Sequence, residues 1–123
     1  MTIADDYRQT ANEQILCIPQ IEDMEGIDNA EAICSVPGID IGFLGPGDLA
    51  VSMGVEAGSE EHEAALQRFR EGCQKAGKPC GIPVKDAESV RQRLAEGFRF
   101  IDLNNDLRFL ESTARRMLAD VTA

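Results

Sequence analysis

Apolar residues fall in short blocks along this chain, and between the blocks they recur at every third or fourth position. "ILCIPQI", Ile15 to Ile21, is an apolar block ahead of polar residues and predicts a buried strand. "DNAEAICSV", Asp28 to Val36, predicts a short helix ended by Pro37 and Gly38. "IDIGFLG", Ile39 to Gly45, is the second strand. In "EEHEAALQRFREGCQKAG", Ala65, Phe69, Cys73 and Ala76 share a helical face, and Gly77 suits the C-terminal cap. "PCGIPV", Pro79 to Val84, is the third strand. "DAESVRQRLAEG" is a capped helix, with Asp86 at its N-cap and Gly97 past its end. "FRFIDL" predicts the fourth strand and "LRFLESTARRMLADV" the last helix, while residues 2–13 allow one more helix ahead of the first strand.

Strands and helices that alternate at this spacing argue for a parallel sheet with crossover helices. No repeated motif, low-complexity tract or linker interrupts the alternation, so residues 1–123 form a single α/β segment. Four β/α units make either a small open sheet or half of an eight-stranded barrel, which typically needs about 250 residues. A half-barrel exposes two strand edges and one face of its sheet, and needs a missing segment or a second copy to cover them. Ile18, Ile41, Ile82 and Ile101 are expected on that under-covered face.

Composition narrows the class. With 43% of residues apolar, there is no case for disorder. No apolar run approaches the ~20 residues of a membrane span. "MTIADDYRQTANEQ" lacks the basic patch and apolar stretch of a secretory signal, so the expected location is the cytoplasm. Cys17, Cys34, Cys73 and Cys80 form no C-x-x-C, and three sit in apolar or helical context. Buried thiols are expected, ahead of a zinc site or a disulfide framework. The net charge is −10, and it is uneven: residues 1–63 carry 14 acids against the single base Arg8. An acidic chain without a basic stripe is a poor nucleic-acid binder and a better host for a cation. Most of these charges are nonetheless expected to be solvated surface.

One loop concentrates the candidate chemistry. Gly45-Pro46-Gly47-Asp48-Leu49-Ala50 fits the letters G-x-G-x-x-A of a dinucleotide-binding turn. A fixed Asp48 carboxylate there would repel a pyrophosphate, and the region that should supply the ribose-binding acid is a helix start. No Lys-Ser/Thr follows, so the loop is no Walker motif either. A cation needs a second carboxylate, and Glu22 follows the preceding strand just as Asp48 follows the next. Gln20 and Glu22 lie two residues apart and project to one face if the strand extends that far. Two oxygen donors without His or Cys suit Mg²⁺ or Mn²⁺. The bland reading stays open beside this one: Asp48 caps a short helix from Leu49, and Glu22 is a loop acid.

"QIEDMEGIDNAEAICSVPGIDIGFLGPGDLAVSMG" resembles the HpcH/HpaI aldolase/citrate lyase family, in its Q-[IV]-E, V-P-G-[IV]-D and G-P-x-D-L motifs. "AGKPCGIPV" and "GFRFIDLNNDLRFL" are similar to that family's last two strands. The resemblance implies a (β/α)₈ barrel, commonly oligomeric, that cleaves 2-keto-4-hydroxy acids to pyruvate and an aldehyde. It implies Glu22 and Asp48 as ligands of a divalent ion (Mg²⁺, Mn²⁺ or Co²⁺), with Gln20 and the backbone at Gly47 on the pyruvate part. Asp48 and its ion would then both face the keto acid substrate.

The chain departs from the family pattern in its chemistry. The family's base histidine and substrate arginine belong to the barrel's first half, so no catalytic residue is expected here. The only histidine, His62, is expected as a solvated surface residue near a helix start. Arg99 and Arg108 do not map onto the missing arginine, and "LNND", Leu103 to Asp106, differs from the family's G-x-D. The expected function is thus a metal-dependent lyase, present as a partial barrel that is inactive alone. The alternative is a catalytically dead half-barrel serving as an assembly or ligand-binding module. Either way a homo-oligomer or a complementary half-barrel segment is the expected partner. Among a fragment, a split enzyme and a natural truncation, the continuous mid-barrel character of "ADDYRQTANEQILCIPQIE" favours the fragment.

Overall fold

The computed structural model describes residues 7–122. Four parallel strands, β1 (Gln20–Ile21), β2 (Gly42–Leu44), β3 (Cys80–Val84) and β4 (Phe100–Leu103), lie in chain order across one sheet. The expected helix within residues 2–13 forms as α1 (Tyr7–Gln14), its first part lying outside the described residues. β1 is shorter than predicted because Pro19 has no N–H to give a ladder. Pairing still reaches back, through Asp40 N–H to the Cys17 carbonyl and Phe43 N–H to the Pro19 carbonyl, both at 3.0 Å.

The helix expected over Asp28–Val36 forms as α3 (Ala30–Cys34), and a further short helix, α2 (Met24–Asp28), precedes it. Asp23 starts α2, accepting the Gly26 N–H at 2.7 Å. α4 (Pro46–Met53) follows β2 directly, starting ahead of the short helix from Leu49 that the capping alternative allows. α5 (Glu60–Lys75) and α6 (Ala87–Glu96) fall where the periodicity puts them. Asp86 caps α6 by accepting the Ser89 N–H at 2.8 Å, and Gly97 ends it. α7 (Asp106–Thr122) closes the order.

The core lies between the sheet and α2, α3 and α5, around the fully buried Leu44, Phe69, Cys73, Cys34 and Phe98. α3 approaches α5 so closely that a Cβ on Gly72 would sit 2.8 Å from the Ala30 Cβ. Only glycine admits that contact. Cys34, Cys73 and Cys80 are buried free thiols, as expected, while Cys17 is exposed. Burial raises the Cys73 thiol pKa, with the Cys34 sulfur 3.6 Å away adding to the shift. Arg93 ties α6 to α5 with two hydrogen bonds to the Glu63 carboxylate, at 2.7 and 2.8 Å, and a third to Glu96 at 2.8 Å.

The other face of the sheet is open, and Ile18 lines a cavity there with Phe43 and Phe100, but Ile41 and Ile82, expected beside it, are buried. Register aligns Gln20, Phe43, Gly81 and Phe100 in one row. A Cβ on Gly81 would meet Phe43 and Phe100 at 2.7 and 3.0 Å, so these side chains share a face. The two rings stand edge to face with centroids 5.9 Å apart, and Phe100 is 38% exposed. Ile82, one residue on from Gly81, turns the opposite way and is buried in the core, and Ile41 is buried too. Ile18 and Ile101 are half-buried. The under-covered face is therefore an aromatic one.

Candidate active site

β1 and β2 end side by side, and the side chains beyond them meet. Ile21 is in register with Leu44, so Glu22 and Gly45 come next at the same end of the sheet. Alternation returns Glu22 to the face of Gln20, where Gln20 Nε2 donates to Glu22 Oε2 at 2.7 Å. Both press on Gly45. A Cβ built there would lie 2.7 Å from Glu22 Oε2 and 2.8 Å from Gln20 Nε2. Only a glycine lets that carboxylate rest against the loop backbone.

Gly45 is also the N-cap of α4, and Pro46 occupies its first turn, where a missing N–H does no harm. Gly47 and Asp48 complete the turn. Asp48 is the third helical residue, not the cap, so the capping alternative gives way. Its carboxylate is exposed, lies where the positive end of the helix dipole favours an anion, and accepts no hydrogen bond among the described residues.

All four predicted site residues thus belong to one corner of the sheet. Gln20 and Glu22 touch each other and Gly45, while Gly47 and Asp48 lie on the turn that leaves Gly45. No cluster of three or more His, Cys, Asp or Glu forms among the described residues. Carboxylate oxygens are the donors that a hard divalent ion takes, and Glu22 and Asp48 are the two this corner could offer.

His62 corrects the sequence reading. It is 3% exposed, not solvated. Gly58 N–H donates to Nδ1 at 3.1 Å, and Nε2 lies 2.8 Å from the Pro46 carbonyl oxygen. A backbone N–H can only donate and a carbonyl can only accept, so this bonding assigns the ring proton to Nε2. Both nitrogens are occupied, and neither is free to act as a base. The spacing of residues carried no signal for this, since the Pro46 carbonyl is brought to the ring by the fold alone.

The rim beyond β3 and β4 was equally silent. A cavity of about 610 Å³ opens beside Pro46 and Gly47, lined also by Lys85, Asp102, Asn105 and Arg108. Asn104 holds its edge with φ 61°, its N–H donating to the Val84 carbonyl at 2.8 Å. Asparagine tolerates this left-handed conformation better than other non-glycine residues, so "LNND" keeps the turn that a glycine would make.

Residues 2–112 match the family model for HpcH/HpaI aldolase/citrate lyase. The chain is 41% identical over 119 residues to a hydroxypyruvate/pyruvate aldolase of Paraburkholderia phytofirmans, covering 94% of this chain and 45% of that protein. It is 34% identical over 114 residues to a 5-keto-4-deoxy-D-glucarate aldolase of Klebsiella pneumoniae, covering 91% of this chain and 44% of that one. The crystal structure of an HpcH/HpaI aldolase/citrate lyase family protein from Burkholderia cenocepacia superposes with a TM-score of 0.88 at 35% identity, over 98% of this chain and 48% of the other. The chain spans about half the length of the curated relatives it matches, and its four parallel β/α units form about half of their TIM barrel. The chain belongs to the HpcH/HpaI aldolase/citrate lyase family.

Proposed function

We propose that this chain is the metal- and pyruvate-binding portion of a divalent-metal-dependent aldolase that cleaves 2-keto-4-hydroxy acids to pyruvate and an aldehyde. The observation that carries the reading is the contact of Gln20 and Glu22 with Gly45, at the start of the turn that presents Asp48. Glu22 and Asp48 would hold the ion, Mg²⁺, Mn²⁺ or Co²⁺. When bound, the ion supplies charge that stabilises the negative charge developing on the keto oxygen. Gln20 Nε2 and the Gly47 N–H would orient the keto acid as donors, the second at the positive end of α4. In cleavage, a base takes the 4-hydroxyl proton, the C3–C4 bond breaks, and its electron pair moves toward the keto group. C4 leaves as the aldehyde, and a proton returned to C3 gives pyruvate. No described residue is placed as that base, so the chain alone is expected to bind without turning over.

A second reading, an inactive half-barrel that serves assembly, draws on the exposed aromatic face and the occupied nitrogens of His62. In either reading the open face would be covered by another copy or by a complementary half-barrel segment. Free thiols at all four cysteines favour a reducing compartment such as the cytoplasm. No described helix is long and apolar enough to cross a membrane.

The test is calorimetric. Glu22→Ala and Asp48→Ala should each abolish Mn²⁺ binding while the circular dichroism stays unchanged. Wild-type affinity in both variants would overturn the metal assignment. Aldolase activity on mixing with a first-half barrel chain would exclude the assembly-only reading.

A further inference from the structure

His62 is the only buried charged or polar side chain among the described core residues, and neither predicted metal ligand touches it. It belongs to the first turn of α5, yet its ring reaches the first residue of α4. The carbonyl it binds is half of the Pro46–Gly47 peptide unit. The other half is the Gly47 N–H. In a trans peptide the two point in opposite directions, and no described peptide bond is cis. Whatever fixes the Pro46 carbonyl toward the protein interior therefore fixes the Gly47 N–H away from it. Gly47 is exposed, and a Cβ on it would meet nothing within 4 Å.

We infer that His62 is a positioning residue: its Nε2–H bond to the Pro46 carbonyl holds the Gly47 N–H and Asp48 in the orientation that binds substrate and ion. The inference rests on the metal–pyruvate reading given above. Several features make the latch directional. The Gly58 N–H occupies Nδ1 at 3.1 Å, which leaves Nε2 as the donor toward Pro46. The Ser59 hydroxyl caps α5 by accepting the His62 N–H at 3.3 Å, so the ring's own backbone is anchored. Gly45, on the other side of the turn, is wedged by Glu22 and Gln20. The loop is thus held from two sides, by Glu22 at Gly45 and by His62 at Pro46. The turn is the first of α4, where the Leu49 N–H reaches the Gly45 carbonyl at 3.0 Å but the leading N–H groups have no partner within the helix, so losing one hold lets it fray.

The test compares two substitutions in the full chain. His62→Gln keeps an N–H₂ donor at a reach close to that of Nε2. His62→Asn keeps a polar group near the Nδ1 position but falls short of Pro46. Two quantities are measured: amide hydrogen exchange over residues 45–50 without metal, and Mn²⁺ affinity in the presence of pyruvate. His62→Asn should speed exchange in that loop by about tenfold and weaken Mn²⁺ by a similar factor, with protection in α5 retained. His62→Gln should stay within about threefold of wild type in both. Wild-type loop exchange in His62→Asn would overturn the latch, as would equal impairment of the two variants, which would mean that ring packing and not the donor matters. If the wild-type chain binds no Mn²⁺, the metal–pyruvate reading fails, and the exchange measurement still decides whether His62 holds the loop.

Discussion

At Gly45 the missing side chain leaves room for the Glu22 carboxylate and the Gln20 amide, which a Cβ would meet at 2.7 and 2.8 Å. The letters G-P-G-D point to a turn with a carboxylate on it, and Gln20 and Glu22 can be placed on one face from their spacing alone. What spacing cannot tell is that Glu22 rests on Gly45 itself, because that depends on the register of β1 against β2. The sequence also misplaces His62: an acidic helix start looks solvated, and only the fold turns the ring inward onto Pro46. Gly45→Ala tests the contact. The new Cβ would push aside Glu22 Oε2 and Gln20 Nε2, while a φ of −97° is open to alanine. Mn²⁺ affinity, read by electron paramagnetic resonance of the free ion, should fall by about tenfold or more with little change in melting temperature. Unchanged affinity would mean that Glu22 does not work from this position.

At the scale of elements, helices with strong periodicity and clear caps were legible, and those built around glycine or proline were not. α5 and α6 carry apolar faces and side-chain caps at Ser59 and Asp86. The letters suggest α4 only from Leu49 onward, because Gly-Pro-Gly marks a turn, although proline is at home in a first helical turn. α2 hid behind Gly26, and its start is set by the Asp23 cap. The α5–α6 contact depends on Arg93, whose two bonds to Glu63 are partly shielded from water, the arginine side chain being 14% exposed. Arg93→Ala should lower stability by about 1–2 kcal/mol in urea unfolding at pH 7. The pH dependence has a definite sign. The hydrogen bond from Arg93 holds the Glu63 carboxyl below its ordinary value of 4.5. The pair's contribution is then present above that value and lost as pH falls through the lowered one. The stability gap between wild type and Arg93→Ala should be constant from about pH 5 to 7 and shrink below about pH 4. A gap independent of pH down to acid unfolding would show that Glu63 is not the partner that matters.

For the molecule as a whole, the alternation of strands and helices was enough to find four parallel β/α units, and their number pointed to half a barrel. The uncovered surface was harder to read. A one-residue difference in phase put Ile82 into the core and left Phe43 and Phe100 on the open face. α7 adds Leu107, Leu110 and Val121, exposed by 73%, 69% and 84%. Apolar area of this kind on a chain of 123 residues favours association. Sedimentation at micromolar concentration should show a dimer or larger species, and Phe100→Asp should shift it toward monomer. A wild-type monomer with a cooperative melt would mean that the half-barrel stands without a covering partner.

On the proposed function, Glu22 and Asp48 form a metal site that also receives a keto acid. Titrating Mn²⁺ into the folded chain by calorimetry, with and without pyruvate, tests it most directly. Mn²⁺ should bind at one site per chain and bind more tightly when pyruvate is present. Absence of binding, or an affinity that pyruvate leaves unchanged, would contradict it.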